Sequence, residues 1–434
     1  MIRTHYSSDA KPGEDVTVAG WVDEKRDMGS ITFIVMRDGR GKIQITAKKG
    51  AVSDSILEKL KELRKEAVIV VTGSCVASKA APGGVEIIPK SVEIISDVTD
   101  IIPIEMNENI QTNLDKRLDF RSIDLRSKNN QAIFRIQSTL VQEIQDFFKK
   151  EGFMQIFTPC IMGVAAESGS EVFPVVYYDR EAFLRQDPQL HRQLTIAGGF
   201  EKIYEVGPSW RAELSHTTRH LCEHRTCVAE IAFIKDEYDI INLEQEMVKY
   251  VMRKLAKDCE AELEVFGVKL DVPDKFPVIN FPEIYDILES LGFKTEHGQD
   301  YGTEEEKALG DYVKKKHNSD FFFVNRFPFN VRPFYVMRVD EDPQWARSID
   351  LIYRGVELSS GGQREHRYDK IIEQAKIKKM NIENIRWFTD FFKYGVPSHG
   401  GFSIGFERLT KQILGLTNVR ESVLFPRDVQ RLVP

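Results

Sequence analysis

The first 105 residues constrain the fold most. Five β-rich stretches, VTVAGWVDEKR, ITFIVMRD, GKIQITAKK, AVIVVTGSCVAS and VEIIPKSVEII, are broken by DMGS, GRG and APGG, and one helical stretch, SDSILEKLKELRK, follows the third. Val, Ile and Thr crowd the stretches while Gly, Asp and Pro mark the breaks, so composition and punctuation both indicate short strands. Five strands with a single helix after the third outline an OB-type barrel over residues 1–105. Such barrels often bind oligonucleotides. The same pattern also describes a barrel that binds nothing.

At 434 residues the chain is too long for one ordinary core, so a second domain is expected. Residues 106–130, in the polar, Pro-containing stretch DIIPIEMNENIQTNLDKRLDFRSIDLRS, read as a linker, and residues 131–434 as the second domain. There NQAIFRIQSTLVQEIQDFFKKEGF carries apolar residues at helical spacing and ends at Gly152. Strands dominate from MQIFTPCI to about Phe233, and NLEQEMVKYVMRKLAKDCEAEL is helical. Residues 265–335 mix short helices with polar loops and read as insertion-like. Strands return in RSIDLIYRGVELSSGG, a helix in YDKIIEQAKIKKM, and a strand–helix unit in HGGFSIGFERLTKQILGL. Strand blocks separated by helices, without a regular βαβ rhythm, predict an α+β domain on an antiparallel sheet flanked by helices.

The net charge of −7 excludes a uniformly basic nucleic-acid binder but allows a local basic face. Five cysteines at scattered positions (75, 160, 222, 227 and 259) argue for reduced thiols. No apolar run approaches the roughly 18 to 20 residues that span a bilayer. MIRTHYSSDA lacks a signal peptide's apolar core, so a cytoplasmic location is expected.

SWRAELSHTTRHLCEHRTCVAE, Ser209–Glu230, concentrates Arg, His, Cys and Glu with little apolar cover. Zinc is one reading of His216, His220, Cys222, His224 and Cys227, but no C-x-x-C pair is present. A phosphate clamp fits better: Arg211 and Glu213 at a strand end, a polar turn, then Arg219 and His220. The guanidinium fork matches phosphoryl oxygens. A solvated hairpin is the plain alternative. GFSIGFERL places Gly, Glu407 and Arg408 at a strand-to-helix junction, where backbone can approach a flat ligand. Asp350, Glu357 and Ser360 on adjacent strand positions are hard oxygen ligands suited to magnesium beside nucleotide phosphates.

GFMQIFTPCI, WRAE…TTRHLCE, GVELSSGGQREH and GGFSIGFERL, in that order after an OB-like domain, resemble the class II aminoacyl-tRNA synthetases, most narrowly the archaeal and eukaryotic aspartyl type. The similarity runs to the terminal LFPRDVQRLVP. It implies a homodimer with Pro159 at the interface, and ATP, Mg2+, L-aspartate and tRNA as ligands. Arg211 would hold the α-phosphate, Glu213 the adenine, and Arg219, His220, Leu221 and Arg408 the rest of the nucleotide, with Arg211, Glu213 and Arg408 the catalytic set. Asp350, Glu357 and Ser360 would bind magnesium, Glu357 beside the ATP. Glu167, Asp187, Gln189, Arg192, Ser360 and Arg364 would form the amino-acid pocket. Phe33 and Gln44 would grip an anticodon base, and stacking on an aromatic in an OB barrel is physically sensible by itself.

The pocket departs from that pattern. The family's QSPQLYKQ is QDPQLHRQ here, so Asp187 replaces serine and Arg192 replaces lysine. Val228 replaces an aspartate associated with the substrate ammonium, which Asp187 is expected to offset. Ser168, His224, Ser403 and Phe406 are further departures. The expected function is ATP-dependent aminoacylation of tRNA with aspartate. One alternative is a paralogue, an AMP-forming ligase that takes another acid or acceptor. The other is a non-catalytic tRNA-binding protein. Phe33 and Gln44 in a complete barrel argue against the first, and Arg211, Glu357 and Arg408 together against the second.

Overall fold

Strict alternation shapes the first unit. In the computed structural model, which describes residues 2–105, 112–163, 171–215 and 217–434, the chain divides into two units, Met1–Pro103 and Ile104–Pro434. The first holds β1 (Asp15–Asp27), β2 (Ile31–Arg37), β3 (Lys42–Lys48), α1 (Asp54–Glu62), β4 (Val68–Ala77) and β5 (Val85–Ser96). Val16, Val18, Ile34, Met36, Ile43, Ile45, Ile69, Val71 and Ile87 point inward and are buried. The strands close in the order β1–β2–β3–β5–β4, with β3 and β5 parallel. This is the expected OB barrel. Ser53 caps α1 by accepting from the Ile56 amide, and Leu57 and Leu60 bury its inner face.

The second unit opens with α2 (Leu114–Asp119) and α3 (Arg121–Asp124), where a linker was expected. Both helices are too short and polar to show a period. Their anchor is Arg121, fully buried, which donates to the carbonyls of Glu421, Val423 and Leu424 and pairs with Asp124. Next come α4 (Lys128–Lys150), β6 (Met154–Gln155), β7 (Ile161–Met162), β8 (Pro174–Tyr177), β9 (Arg180–Leu184), α5 (Gln189–Ala197), β10 (Lys202–Trp210) and β11 (Glu223–Ala232). After them run α6 (Glu237–Asp258), α7 (Glu260–Val265), β12 (Val278–Asn280), α8 (Glu283–Ser290), α9 (Thr303–His317) and β13 (Phe321–Asn325). The unit ends with β14 (Ser348–Tyr353), β15 (Val356–Arg364), α10 (Tyr368–Ile377), α11 (Ile382–Thr389), β16 (His399–Gly405) and α12 (Phe406–Leu414).

Eight strands form one sheet in the order β12–β13–β14–β15–β16–β11–β10–β6. From β13 to β10 every pairing is antiparallel, while the outermost pairs, β12 with β13 and β6 with β10, are parallel. One face packs on helices: Ile136, Leu140, Ile144 and Phe148 of α4 and Met247, Val251 and Leu255 of α6 share a core with Cys227, Ala229, Phe402 and Ile404. Alternation turns Thr226 and Ser403 to the other face. Residues 265–335, which read as insertion-like, supply β12 and β13 of the sheet, whose Ile279, Phe322 and Val324 join a core with Leu288, Leu309 and Val313 of α8 and α9.

Candidate active site

The β10–β11 ladder runs from Lys202 opposite Ile231 to Trp210 opposite Glu223, so Arg211 stands just beyond the strand end. Backbone clasps hold the crossing loop: Arg211 N–H donates to the Cys222 carbonyl, Cys222 N–H to that of Arg427, and Val419 N–H to that of Thr218. On β14 and β15, Asp350 sits opposite Ser360. β16 runs into α12 at Gly405, which puts Arg408 in the first helical turn. Glycine sets the spacing of the central strands. A Cβ on Gly401 would fall 1.9 Å from the Ala229 oxygen and 2.6 Å from the Glu230 carboxyl carbon.

These elements enclose a cavity of about 370 Å³ lined by Arg211, Glu213, Arg219, His220, Leu221, Glu357, Ser360 and Arg408, and also by Asp187, Gln189 and Arg364. The fold thus brings together, from distant segments, residues that the sequence motifs single out. Arg408 donates to the Glu357 carbonyl at 3.1 Å and lies 3.3 Å from its Oε1. Arg211 Nη1 is 3.8 Å from Glu213 Oε1, a charge contact without a hydrogen bond, which leaves its donors available to an anion. His224 lines the same wall. Burial, then the fields of Arg211 and Arg408, push its pKa down to about 4, so it is a neutral flat ring at pH 7.

Asp350 opens instead onto an adjoining cavity of about 310 Å³, which shares Arg219, His220, Glu357 and Arg408 with the first. Arg332 donates to Asp350 Oδ2 at 2.6 Å and to Ser360 Oγ at 3.3 Å. Asp350 Oδ1 is buried with no hydrogen-bond partner. Packed surroundings, and then Asp350, push the Glu357 carboxyl up, although the 42 % of that side chain still exposed faces the cavities. Two acids that repel each other and keep uncommitted oxygens fit a hard cation. Among the described residues no group of three or more His, Cys, Asp or Glu side chains could hold a metal alone, so a cation at Asp350 and Glu357 would need waters or phosphate oxygens to complete its shell. The same finding removes the zinc reading there; His216 lies outside the described residues.

At the floor, Arg364 donates to Glu230 Oε1 at 3.0 Å and to Gln189 Oε1 at 3.3 Å. Arg192 stands one layer back from the cavity. It lies on the inward side of α5, buried beneath the cavity rather than on its lining, because Asp187, Gln189 and Glu205 surround it there. Asp187 does reach the lining, but its charge is already paired with Arg192. Val228 is buried between Thr226 and Glu230 along β11 and opposite Ser403. Glu167 and Ser168 lie outside the described residues. The sequence reading overlooked Arg332, Glu230 and Glu306. Arg332 is one charge among apolar neighbours, Glu306 is one of three consecutive glutamates at the start of α9, and Glu230 ends the charged hairpin; in none does the local pattern say what the side chain faces.

In the barrel unit, Phe33 and Gln44 are half-buried on the outer face, on neighbouring strands. Gln44 Nε2 donates to Glu86 Oε2 at 2.8 Å, and Thr46 Oγ1 to the same oxygen at 2.6 Å. Glu86, also overlooked, follows from the parallel register that sets it directly beside Gln44.

Two family models match. One, described as tRNA synthetases class II (D, K and N), covers residues 113–429; the other, an OB-fold nucleic acid binding domain, covers residues 16–95. The chain is 43 % identical to an aspartate–tRNA(Asp) ligase of Pyrococcus horikoshii over the full length of both. It is 41 % identical, again over both full lengths, to an aspartate–tRNA(Asp/Asn) ligase of Methanopyrus kandleri. Among solved structures it is similar to asparaginyl-tRNA synthetase from Pyrococcus horikoshii complexed with asparaginyl-adenylate, with TM-score 0.93, 33 % identity and full coverage of both chains.

Proposed function

The chain belongs to the class II tRNA synthetases (D, K and N), and from that premise we propose that it joins aspartate to tRNA through an aspartyl-adenylate. One observation carries the reading: Arg211, Arg408 and Glu357 line a single cavity that also reaches Arg364. Guanidinium groups at one end suit a triphosphate, and a buried guanidinium at the other suits a side-chain carboxylate.

In the first step an oxygen of the aspartate α-carboxylate attacks the α-phosphorus of ATP, and the bond to the pyrophosphate oxygen breaks. Arg211 stands against the charge that develops on the transferring phosphoryl, and Arg219, His220 and Arg408 against the departing phosphates. Glu213 and Leu221 border the nucleotide. Magnesium, when bound to Asp350, Glu357 and Ser360, supplies further charge stabilisation to phosphate oxygens. Gln189 and Arg364 orient the amino acid. In the second step the terminal ribose hydroxyl of tRNA attacks the activated carbonyl and AMP leaves. No side-chain nucleophile is required. On the barrel, Phe33 offers a stacking face, and Gln44 with Glu86 offers donor and acceptor groups to an unpaired base.

The assembly we infer is a homodimer through the segment around Pro159, working in the cytoplasm where its tRNA is. No helix among the described residues is long and apolar enough to cross a membrane. ATP–pyrophosphate exchange across a panel of amino acids, followed by charging of tRNA, tests the reading. Exchange that depends on aspartate is expected. Exchange driven by another acid, or none with tRNA present, overturns it.

A further inference from the structure

Residues 265–335 bring a carboxylate to the phosphate end of the site. α9 lies directly on the β14–β15 turn: a Cβ on Gly355 would be 2.9 Å from Lys307 Cα, and one on Gly310 would be 2.7 Å from Gly355 Cα. With no slack between these backbones, Glu306 in the first part of α9 is fixed relative to Glu357. Glu306 is 8 % exposed and divides its two oxygens. Oε1 accepts from the Glu357 backbone N–H at 2.5 Å, while Oε2 faces Arg219 Nη1 at 3.7 Å. Both Glu306 and Arg219 line the smaller cavity with Arg408.

Resting on the adenylating function above, we propose that Glu306 is a positioning residue for ATP: it steers Arg219, from the far side of the hairpin loop, onto the outer phosphates. The loop itself is clasped through backbone atoms of Arg211, Thr218 and Cys222, and none of those bonds directs the Arg219 side chain. A long cation on a loop tip loses rotamer freedom when it meets a phosphate; a fixed carboxylate behind it removes part of that cost beforehand. The amide contact to Glu357 is separable, because a glutamine carbonyl can still accept that bond, though without the carboxylate's charge. Only the contact with Arg219 needs the charge.

The test measures ATP and AMP affinity by calorimetry for wild type, E306Q, R219A and the double variant, with aspartate-dependent ATP–pyrophosphate exchange alongside. E306Q should weaken ATP about three- to tenfold, the scale of one partly buried ion pair. AMP, which lacks the outer phosphates, should bind unchanged, and the KM for aspartate should hold. In the R219A background E306Q should add nothing. Wild-type ATP affinity in E306Q, equal losses for ATP and AMP, or additive losses in the double variant would each overturn the proposal. A wild-type protein that binds ATP but shows no exchange would strike the adenylating reading instead, while the four affinities still judge Glu306.

Discussion

At the scale of single residues, the departures at Asp187 and Arg192 explain each other. Arg192 is buried, and its Nε and Nη1 make no hydrogen bond; Asp187, Gln189 and the more distant Glu205 supply its compensation. Removing one partner of such a group costs more than the pair is worth, because a charge stays behind undersolvated. Asp187→Ser should therefore destabilise the protein by about 1–2 kcal/mol, discounted because Asp187 is partly exposed. Arg192→Lys made on top should cost less than the two single changes summed, as read from urea unfolding midpoints. Glu244 carries a pH dependence. It is fully buried under β15, with Ser359 as its donor and Oε2 unpartnered, and burial pushes its carboxyl up to about 8. Between the unfolded range near about 4.3 and the folded value, the native state holds more protons than the unfolded one. Its contribution to stability is thus full at low pH and falls as pH rises through that window. Glu244→Gln should stabilise the protein more at pH 8 than at pH 5.5, seen in paired thermal melts.

At the scale of elements, the centre of the site depends on strands too close to admit side chains. Gly401→Ala would drive a methyl into the Ala229 carbonyl and the Glu230 carboxylate, both part of rigid paired backbone or a buried ion pair. A cost of about 3 kcal/mol or more is expected. Gly39→Ala, with nothing within 4 Å of its Cβ, should be close to neutral. Equal melting temperatures for the two variants would remove the spacing argument. These elements differ in how far their residues disclose them. Alternation announces β1 to β5, and the 3.6-residue period announces α4, because each buries one face. The hairpin loop was legible from its dense Arg, His and Glu, since polar residues crowd a strand end only where something other than core faces them. α2 and α3 gave no period to read, and their buried Arg121 looks like any surface arginine. Glu306 and Arg332 were equally silent: the first is one of three consecutive glutamates that read as a solvated helix start, the second a single charge among apolar neighbours, and only tertiary contact reveals what each faces. Arg192 shows a further limit, because a motif position says nothing about which layer a side chain occupies.

At the scale of the whole molecule, the segment from Met154 to Ile161 is where the homodimer proposed above would place its second copy. β6 is the outermost strand of the large sheet, and edges of monomers are ordinarily guarded by charge, proline or a covering helix. Here Phe157 is 81 % exposed, and Met154 and Ile161 are about half exposed beside Pro159. The segment is also held rigidly from behind. Thr158 donates through both its N–H and its hydroxyl to Glu205, and Arg185 pairs with Glu205 at 2.8 Å and donates to the Thr158 carbonyl. A stiff apolar strip loses little entropy on docking, and a strip that pairs with its own copy would close as a two-fold dimer. Phe157→Asp places a charge where desolvation would be required, so it should convert the dimer to monomers of 49.9 kDa in sedimentation equilibrium at micromolar concentration. The barrel unit has its own core and should keep its fold in that variant, with near-native amide protection at Val18, Ile34 and Ile69. Exchange activity should fall together with the dimer fraction on dilution, because Arg185 and Glu205 join this strip to the β10 strand end that carries Arg211. A wild-type chain that sediments as a monomer, or a Phe157→Asp variant that remains dimeric, would move the interface elsewhere.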